Sequence, residues 1–169
     1  MTRRRTLLAI LGACLLAGCA TQPVIQVAAG SPTASTTPTC PSTLPRTFPD
    51  VPGSAMVPGT PTIAAICRYA GTNDTAPDTL SQSATITGDR LRALVTGLNA
   101  SRPFPSGAYN CPADLGLYDL IVFGYPSAGP VDVRVSVSGC TPVTNGHQTM
   151  RLDPDVFTEI TTIVGESRH

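Results

Sequence analysis

Hydrophobic positions in the second half of the chain follow the short periods of β-strands. Residues 117–126, LYDLIVFGYP, are mostly apolar, and residues 131–138, VDVRVSVS, carry a valine at every second position. Strict alternation predicts a strand with one face on a core and the other towards water. The short SAGP connection between the two segments predicts a hairpin. Residues 62–70, TIAAICRYA, predict another strand, and residues 81–87, SQSATIT, a weaker one.

Two further segments carry the longer period of amphipathic helices. In the first, which begins near Thr87, apolar residues recur at i, i+3, i+4 and i+7: Leu91, Leu94, Val95 and Leu98. In the second, Asp153 is a candidate N-cap, Pro154 suits the first helical position, and Gly165 is a candidate stop. Its apolar stripe is Val156, Phe157, Ile160, Ile163 and Val164.

Asn145-Gly146 predicts one more tight hairpin between the last strand and the second helix. The pattern as a whole predicts an α+β domain with a small antiparallel sheet of four to five strands covered by two helices. We expect this single domain to span residues 40–169.

The first 19 residues have the zones of an export signal. Arg3, Arg4 and Arg5 precede an apolar run of about ten residues, which is too short to span a bilayer. The run ends in LLAGC, and its last four residues resemble the lipobox of bacterial lipoproteins. That resemblance implies a signal peptide at residues 1–18, cleavage before Cys19, and a diacylglyceryl group on the Cys19 thiol. Two acyl chains hold a protein stably, so we expect a lipid anchor on the extracytoplasmic face of the cell membrane.

Two alternatives remain within this segment. Leu11 to Cys14 form a second lipobox-like string, but choosing Cys14 leaves a shorter apolar run, so Cys19 is favoured. The Arg4-Arg5 pair is compatible with twin-arginine export as well as with the general secretory route. Residues 19–39 are rich in Pro, Thr and Ser, a composition that predicts a disordered tether after the lipidated cysteine.

The cysteine count predicts two disulfides. Setting Cys14 and Cys19 aside leaves four of the six cysteines, an even number that in an exported protein indicates paired thiols. Four cysteines allow three pairings. We favour the pairing in which each bond closes a local segment, namely Cys40–Cys67 and Cys111–Cys140. A metal site is disfavoured because the sequence has no CxxC-type spacing.

Charge and motifs exclude several function classes. The chain has no basic stripe and few aromatic residues, so nucleic acid is not an expected partner. It has no GxSxG, HExxH, P-loop or GxGxxG motif, and we predict neither an enzyme nor a cofactor. His147 follows the Asn-Gly turn, so we expect it to be a solvated surface residue. Helix capping accounts for Asp153 and Asp155.

A candidate recognition surface comprises five residues. Arg and Tyr are common interface anchors, and Arg68 and Tyr69 follow Cys67, although covering a sheet edge is the alternative role for them. Pro112, Ala113 and Asp114 follow Cys111 in a loop, where turn formation is the alternative role of Asp114.

Short motifs resemble two groups of proteins. One is a family of secreted or lipid-anchored actinobacterial proteins without an assigned activity, and the resemblance covers residues 40–165 through CRY, GLNA, CPAD, GC and VTNG. The other is the Streptomyces subtilisin inhibitors, which are small, secreted, and carry two disulfides and a helix ending in LNA before CP. The second resemblance implies that Pro112, Ala113 and Asp114 face a protease. The chain departs from these inhibitors by extra residues before Tyr118-Asp119 and by the spacing of its other cysteine pair.

The sequence therefore predicts a membrane-anchored extracytoplasmic lipoprotein that presents a small binding or structural domain. The alternative is an extracellular protease inhibitor of the subtilisin-inhibitor type. The expected partners are membrane lipid, through diacylglyceryl Cys19, and an envelope protein or protease.

Overall fold

A computed structural model describes most of the chain after the predicted tether. The residues described are 37–47, 49, 51, 53–108 and 110–167. They belong to one compact unit. The predicted signal peptide, the lipidation of Cys19 and most of the predicted tether lie outside the described residues.

Six antiparallel strands form one sheet. They are β1 (Ile63–Tyr69), β2 (Leu80–Ile86), β3 (Tyr118–Gly124), β4 (Val131–Ser136), β5 (Pro142–Thr144) and β6 (Thr149–Arg151). Their order across the sheet is β2-β1-β3-β4-β5-β6. The prediction of four to five strands is too low, because β5 and β6 have three residues each and are too short to show an alternating pattern. The hairpin predicted at Asn145-Gly146 joins these two strands.

Two helices, α1 (Gly88–Asn99) and α2 (Pro154–Glu166), run antiparallel to each other. Arg90 at the start of α1 reaches Glu159 and Glu166 on α2, with N–O distances of 2.8 Å to each. Asp153 caps α2 as predicted, because its carboxylate accepts a hydrogen bond from the Asp155 N–H at 2.9 Å. The predicted start of α1 near Thr87 is confirmed, because Thr87 is its N-cap residue, although the Thr87 side chain makes no capping hydrogen bond. The predicted stop at Gly165 is wrong by one residue, because α2 continues to Glu166.

Both helices bury their apolar stripes against one face of the sheet. The main core joins Leu91, Leu94 and Leu98 of α1, Ile160, Ile163 and Val164 of α2, and strand residues such as Ile66, Ile121, Phe123, Val133 and Val135. Each large apolar side chain buried there contributes roughly 1.5–3 kcal/mol to folding. The α+β fold predicted from the sequence is therefore confirmed.

The opposite face of the sheet is covered in part by the segment that precedes β1. A second cluster places Leu44 against Tyr69, Leu120 and Val122. Central strand β3 is buried on both faces, which explains why its sequence is a continuous apolar run rather than an alternating one.

Two disulfides, Cys40–Cys67 and Cys111–Cys140, are present, with Cα–Cα distances of 5.5 and 4.9 Å. The first attaches the segment before β1 to the sheet, and the second attaches the loop before β3 to the β4–β5 connection. With sequence separations of 27 and 29 residues, each bond contributes about 3–4 kcal/mol in the chain-entropy model. Within the described part of the chain, neither helix is long and apolar enough to cross a membrane.

Candidate functional site

Arg68 and Tyr69 do not form a recognition surface, and that part of the prediction is wrong. Tyr69 is fully buried, and its hydroxyl donates a hydrogen bond to the Pro41 carbonyl oxygen at 2.9 Å. Burial raises the pKa of Tyr69 to about 12, and the nearby Asp132 charge adds to the shift. The edge-covering alternative fails as well, because β1 lies between β2 and β3.

Arg68 instead forms a bidentate ion pair with Asp119 on the neighbouring strand β3. The Arg68 Nε–Asp119 Oδ1 distance is 2.9 Å, and the Nη2–Oδ2 distance is 2.8 Å. The Asp119 side chain is inaccessible to solvent, whereas 17% of the Arg68 side chain is exposed. Burial raises the pKa of Asp119, and the hydrogen bonds and charge of Arg68 act in the opposite direction. Gln82 is the β2 residue opposite Arg68, and its Oε1 atom is buried without a partner among the described residues.

Sequence reasoning missed Asp119. The available signal was its position in an otherwise apolar run, on the same side of the strand as Ile121 and Phe123. A carboxylate at such a position needs a hydrogen-bonded, oppositely charged partner, because burying an unpaired charge strongly destabilises the fold. The residue that pairs with it, Arg68, is 51 positions away in the chain.

Pro112, Ala113 and Asp114 are exposed, as a recognition surface requires. They belong to the segment 111–115, here called the exposed loop, which is fixed on both sides. The Cys111–Cys140 disulfide holds its first residue.

Ser138 and Thr72 fix the C-terminal side of the exposed loop, at Asp114 and Leu115. Ser138 Oγ donates to the Asp114 carboxylate at 2.8 Å and accepts from the Leu115 N–H at 2.8 Å. The Leu115 carbonyl oxygen accepts from the Thr72 N–H at 2.9 Å. The Asp114 carboxylate also accepts a hydrogen bond from the Gly116 N–H at 2.9 Å. Asp114 is therefore an exposed residue that also forms the turn.

Two pockets share Arg151, the last residue of β6, as a lining residue; together they are called the arginine groove. One pocket has a volume of about 230 Å³ and is lined by Phe104, Pro105, Asn110, Pro112 and Thr141 in addition to Arg151. The other has a volume of about 170 Å³ and is lined by Ser101, Arg102, Leu152 and Asp153 in addition to Arg151.

Arg102 and Arg151 face each other across an isolated antiparallel bridge. Their backbones exchange two hydrogen bonds, with N–O distances of 3.3 and 2.7 Å, so their side chains leave the same side of the bridge. Both residues are exposed. Neither forms an ion pair with an acidic side chain in the part of the chain that the structure describes.

Three polar residues lie on different elements: Arg68 on β1, Asp114 in the exposed loop and His147 in the β5–β6 turn. Asp114 and His147 are exposed residues of two different loops, and Arg68 is bonded to Asp119. None of these three lines either pocket of the arginine groove. Among the described residues, no three His, Cys, Asp or Glu side chains come together as a metal site.

Comparison with known proteins adds no further identification. A scan against protein-family models, a search of curated proteins and a search of solved structures each found no match. The resemblances to actinobacterial secreted proteins and to subtilisin inhibitors therefore stay predictions.

Proposed function

We propose that the protein is an extracytoplasmic lipoprotein, held in the membrane through diacylglyceryl Cys19, whose disulfide-bonded domain is a binding module. The observation that carries the proposal is the LLAGC sequence after a basic start and a short apolar run. The cysteine pairing supports it. All four cysteines after Cys19 are used in two disulfides, so Cys19 has no partner cysteine left within the mature chain.

The disulfides also support export. Such bonds form and persist in oxidising compartments and are rare in the cytosol of most organisms. Each bond closes a local segment, with separations of 27 and 29 residues, and one of them lies at the end of the predicted tether, at Cys40. A tether of about twenty residues spans about 60 Å when it is fully extended in polyproline form, which is enough to lift the domain clear of lipid headgroups.

Mass spectrometry of the protein from the membrane fraction tests the anchor. The expected result is a mature chain that begins at Cys19 and carries the mass of a diacylglycerol group. Cys19→Ser should abolish both the modification and stable membrane attachment. Cys14→Ser is the matched control, because Cys14 would be removed with the signal peptide. A free Cys19 thiol, or a mature chain that begins elsewhere, contradicts the proposal.

A second candidate function, protease inhibition, is favoured by the exposed loop. An exposed peptide that is held on both sides loses little conformational freedom when it enters a protease active site, and such preorganisation favours tight binding. The Cys111–Cys140 disulfide and the Ser138 hydrogen bonds supply this restraint around Pro112, Ala113 and Asp114.

Titration of a subtilisin-type protease with the purified protein tests this candidate. Inhibition should be stoichiometric, and Ser138→Ala should weaken it because the loop loses two hydrogen bonds. Ser127→Ala, at an exposed position in the β3–β4 turn, is the control and should inhibit like the parent. Full protease activity at molar excess of the protein, or cleavage within residues 111–118, rules the candidate out.

A further inference from the structure

The arginine pair creates a local excess of positive charge. Like charges opposite each other on paired strands are destabilising. Arg102 and Arg151 occupy such positions, and in the described part of the chain no carboxylate pairs with either of them. Asp153 lines the same pocket, and its carboxylate, which accepts the Asp155 N–H and caps α2, offsets one of the two arginine charges and leaves the other in excess. An anion placed between the two guanidinium groups would remove the repulsion.

Two neighbouring features add to the attraction for an anion. Ser101 lines the same pocket, and its hydroxyl oxygen is buried with no hydrogen-bond partner among the described residues. A buried hydroxyl without a partner costs about 1–3 kcal/mol, and an oxygen acceptor would satisfy it. In addition, α2 begins at Pro154 in the pocket wall, and the start of a helix carries a partial positive charge.

The other half of the groove is suited to an apolar group. Arg151 also lines the pocket whose walls include Phe104, Pro105 and Pro112. The Cys111–Cys140 disulfide borders this pocket and fixes its outer wall. The two pockets have volumes of about 170 and 230 Å³. Together they lie near the lower end of the roughly 300–1,000 Å³ of typical ligand sites, so a ligand that occupies both is a small molecule.

We infer that the arginine groove binds a small organic acid, with its carboxylate between Arg102 and Arg151 and its apolar body against Phe104 and Pro112. Guanidinium groups match the planar, two-oxygen geometry of carboxylates, and charge-assisted hydrogen bonds of this kind are the strong ones. The inference rests on the binding role proposed above and names the ligand class of that role. Inorganic phosphate is an oxyanion without the apolar body and is therefore the discriminating probe.

The first test uses the full chain, disulfides intact, in detergent micelles, with empty micelles as the blank. The probes are N-acetyl-L-phenylalanine, its uncharged primary amide, and inorganic phosphate. Titrations are followed by NMR of the arginine Nε–Hε groups, which reports on each arginine separately. The acid should shift the Arg102 and Arg151 signals but not those of Arg92, which pairs with Asp89 on α1. The amide should bind at least tenfold more weakly than the acid.

Substitutions provide the second test. Arg102→Gln and Arg151→Gln should each weaken binding of the acid at least fivefold, whereas the control Arg92→Gln should leave it unchanged. Equal binding of acid and amide, or parent-like binding by both groove variants, overturns the inference. Binding of phosphate as tight as that of the acid overturns the assignment to an organic acid.

An edge-protecting role for the two arginines predicts a different result. In that case Arg102→Gln and Arg151→Gln would promote self-association while binding of the acid stayed the same, and this result also overturns the inference. Failure here is distinguishable from failure of the lipoprotein proposal. A chain that carries diacylglyceryl Cys19 and does not bind the acid contradicts only the groove assignment.

Discussion

Removing Arg68 is expected to destabilise the fold more than removing its partner Asp119. In Arg68→Met, the inaccessible Asp119 carboxylate loses both of its charge-assisted hydrogen bonds. Breaking a buried ion pair in this way costs about 3–5 kcal/mol. In Asp119→Leu, the remaining guanidinium is already 17% exposed and can turn to water. The stability lost in Asp119→Leu is therefore closer to the roughly 1.5–3 kcal/mol that hydrogen bonds to a charged group contribute.

The double variant Arg68→Met/Asp119→Leu separates pairing from packing. It removes both charges and fills the same space with apolar groups, a replacement that is often neutral or stabilising. Its free energy of unfolding should lie within about 1 kcal/mol of the parent value, well above the value expected from adding the two single losses.

Urea denaturation followed by circular dichroism, with the disulfides intact, supplies the free energies at an unchanged m-value. Arg90→Met is the control, because its ion pairs with Glu159 and Glu166 are on the surface and should contribute less than about 1 kcal/mol. Additive losses in the double variant would refute the reasoning, since they would mean that the two side chains act independently.

The pH dependence gives a second check on Arg68→Met. Burial raises the pKa of Asp119, and the variant lacks the opposing effect of Arg68. The folded state then binds a proton more readily than the unfolded state, so its stability falls as the pH rises through the folded-state pKa. The difference in the free energy of unfolding between the parent and Arg68→Met should therefore shrink as the pH is lowered from 7 towards 4. A deficit that grows on acidification would contradict the assignment.

Three further substitutions test local packing through the same urea midpoints. Asp153→Ala should cost about 0.5–2 kcal/mol because α2 loses its N-cap, and an unchanged midpoint would refute the capping role. Gly97→Ala should cost about 1–3 kcal/mol because a Cβ there overlaps Val156, and the second change Val156→Ala should restore stability. Stabilisation by Gly97→Ala alone would mean that helix propensity dominates. Asn145→Ala should cost about 1–3 kcal/mol, since its buried side chain bonds four backbone groups, and a loss below 0.5 kcal/mol would contradict that.

The elements that could be predicted are those whose burial follows a regular period. The valines of β4 alternate, and the stripe of α2 repeats every three to four residues, so both were evident from the sequence. The Asp153-Pro154 start of α2 also has a local signal. Strands β5 and β6 lack one, because three residues do not establish a period and their pairing depends on the neighbouring strand.

The candidate site was less predictable, because it depends on contacts between distant residues. Arg68 looked available for recognition since its partner, Asp119, belongs to another strand. Arg102 and Arg151 meet through a bridge between segments with no periodic pattern of their own. Pro112, which the sequence indicates only as part of a candidate recognition surface, lines the same groove. The groove has no signal of its own in the sequence, because only the fold brings its walls together.

The Cys40–Cys67 disulfide also determines how a mechanical load enters the domain. Tension applied to the chain ahead of Cys40 passes through the sulfur atoms into Cys67, which lies within the interior strand β1 rather than at an edge of the sheet. The residues between the two cysteines are bypassed, so pulling does not unravel them. Extraction of β1 requires rupture of its hydrogen bonds to both β2 and β3. With the lipid anchor proposed at Cys19, a load from the membrane would therefore enter the domain at the interior of its sheet.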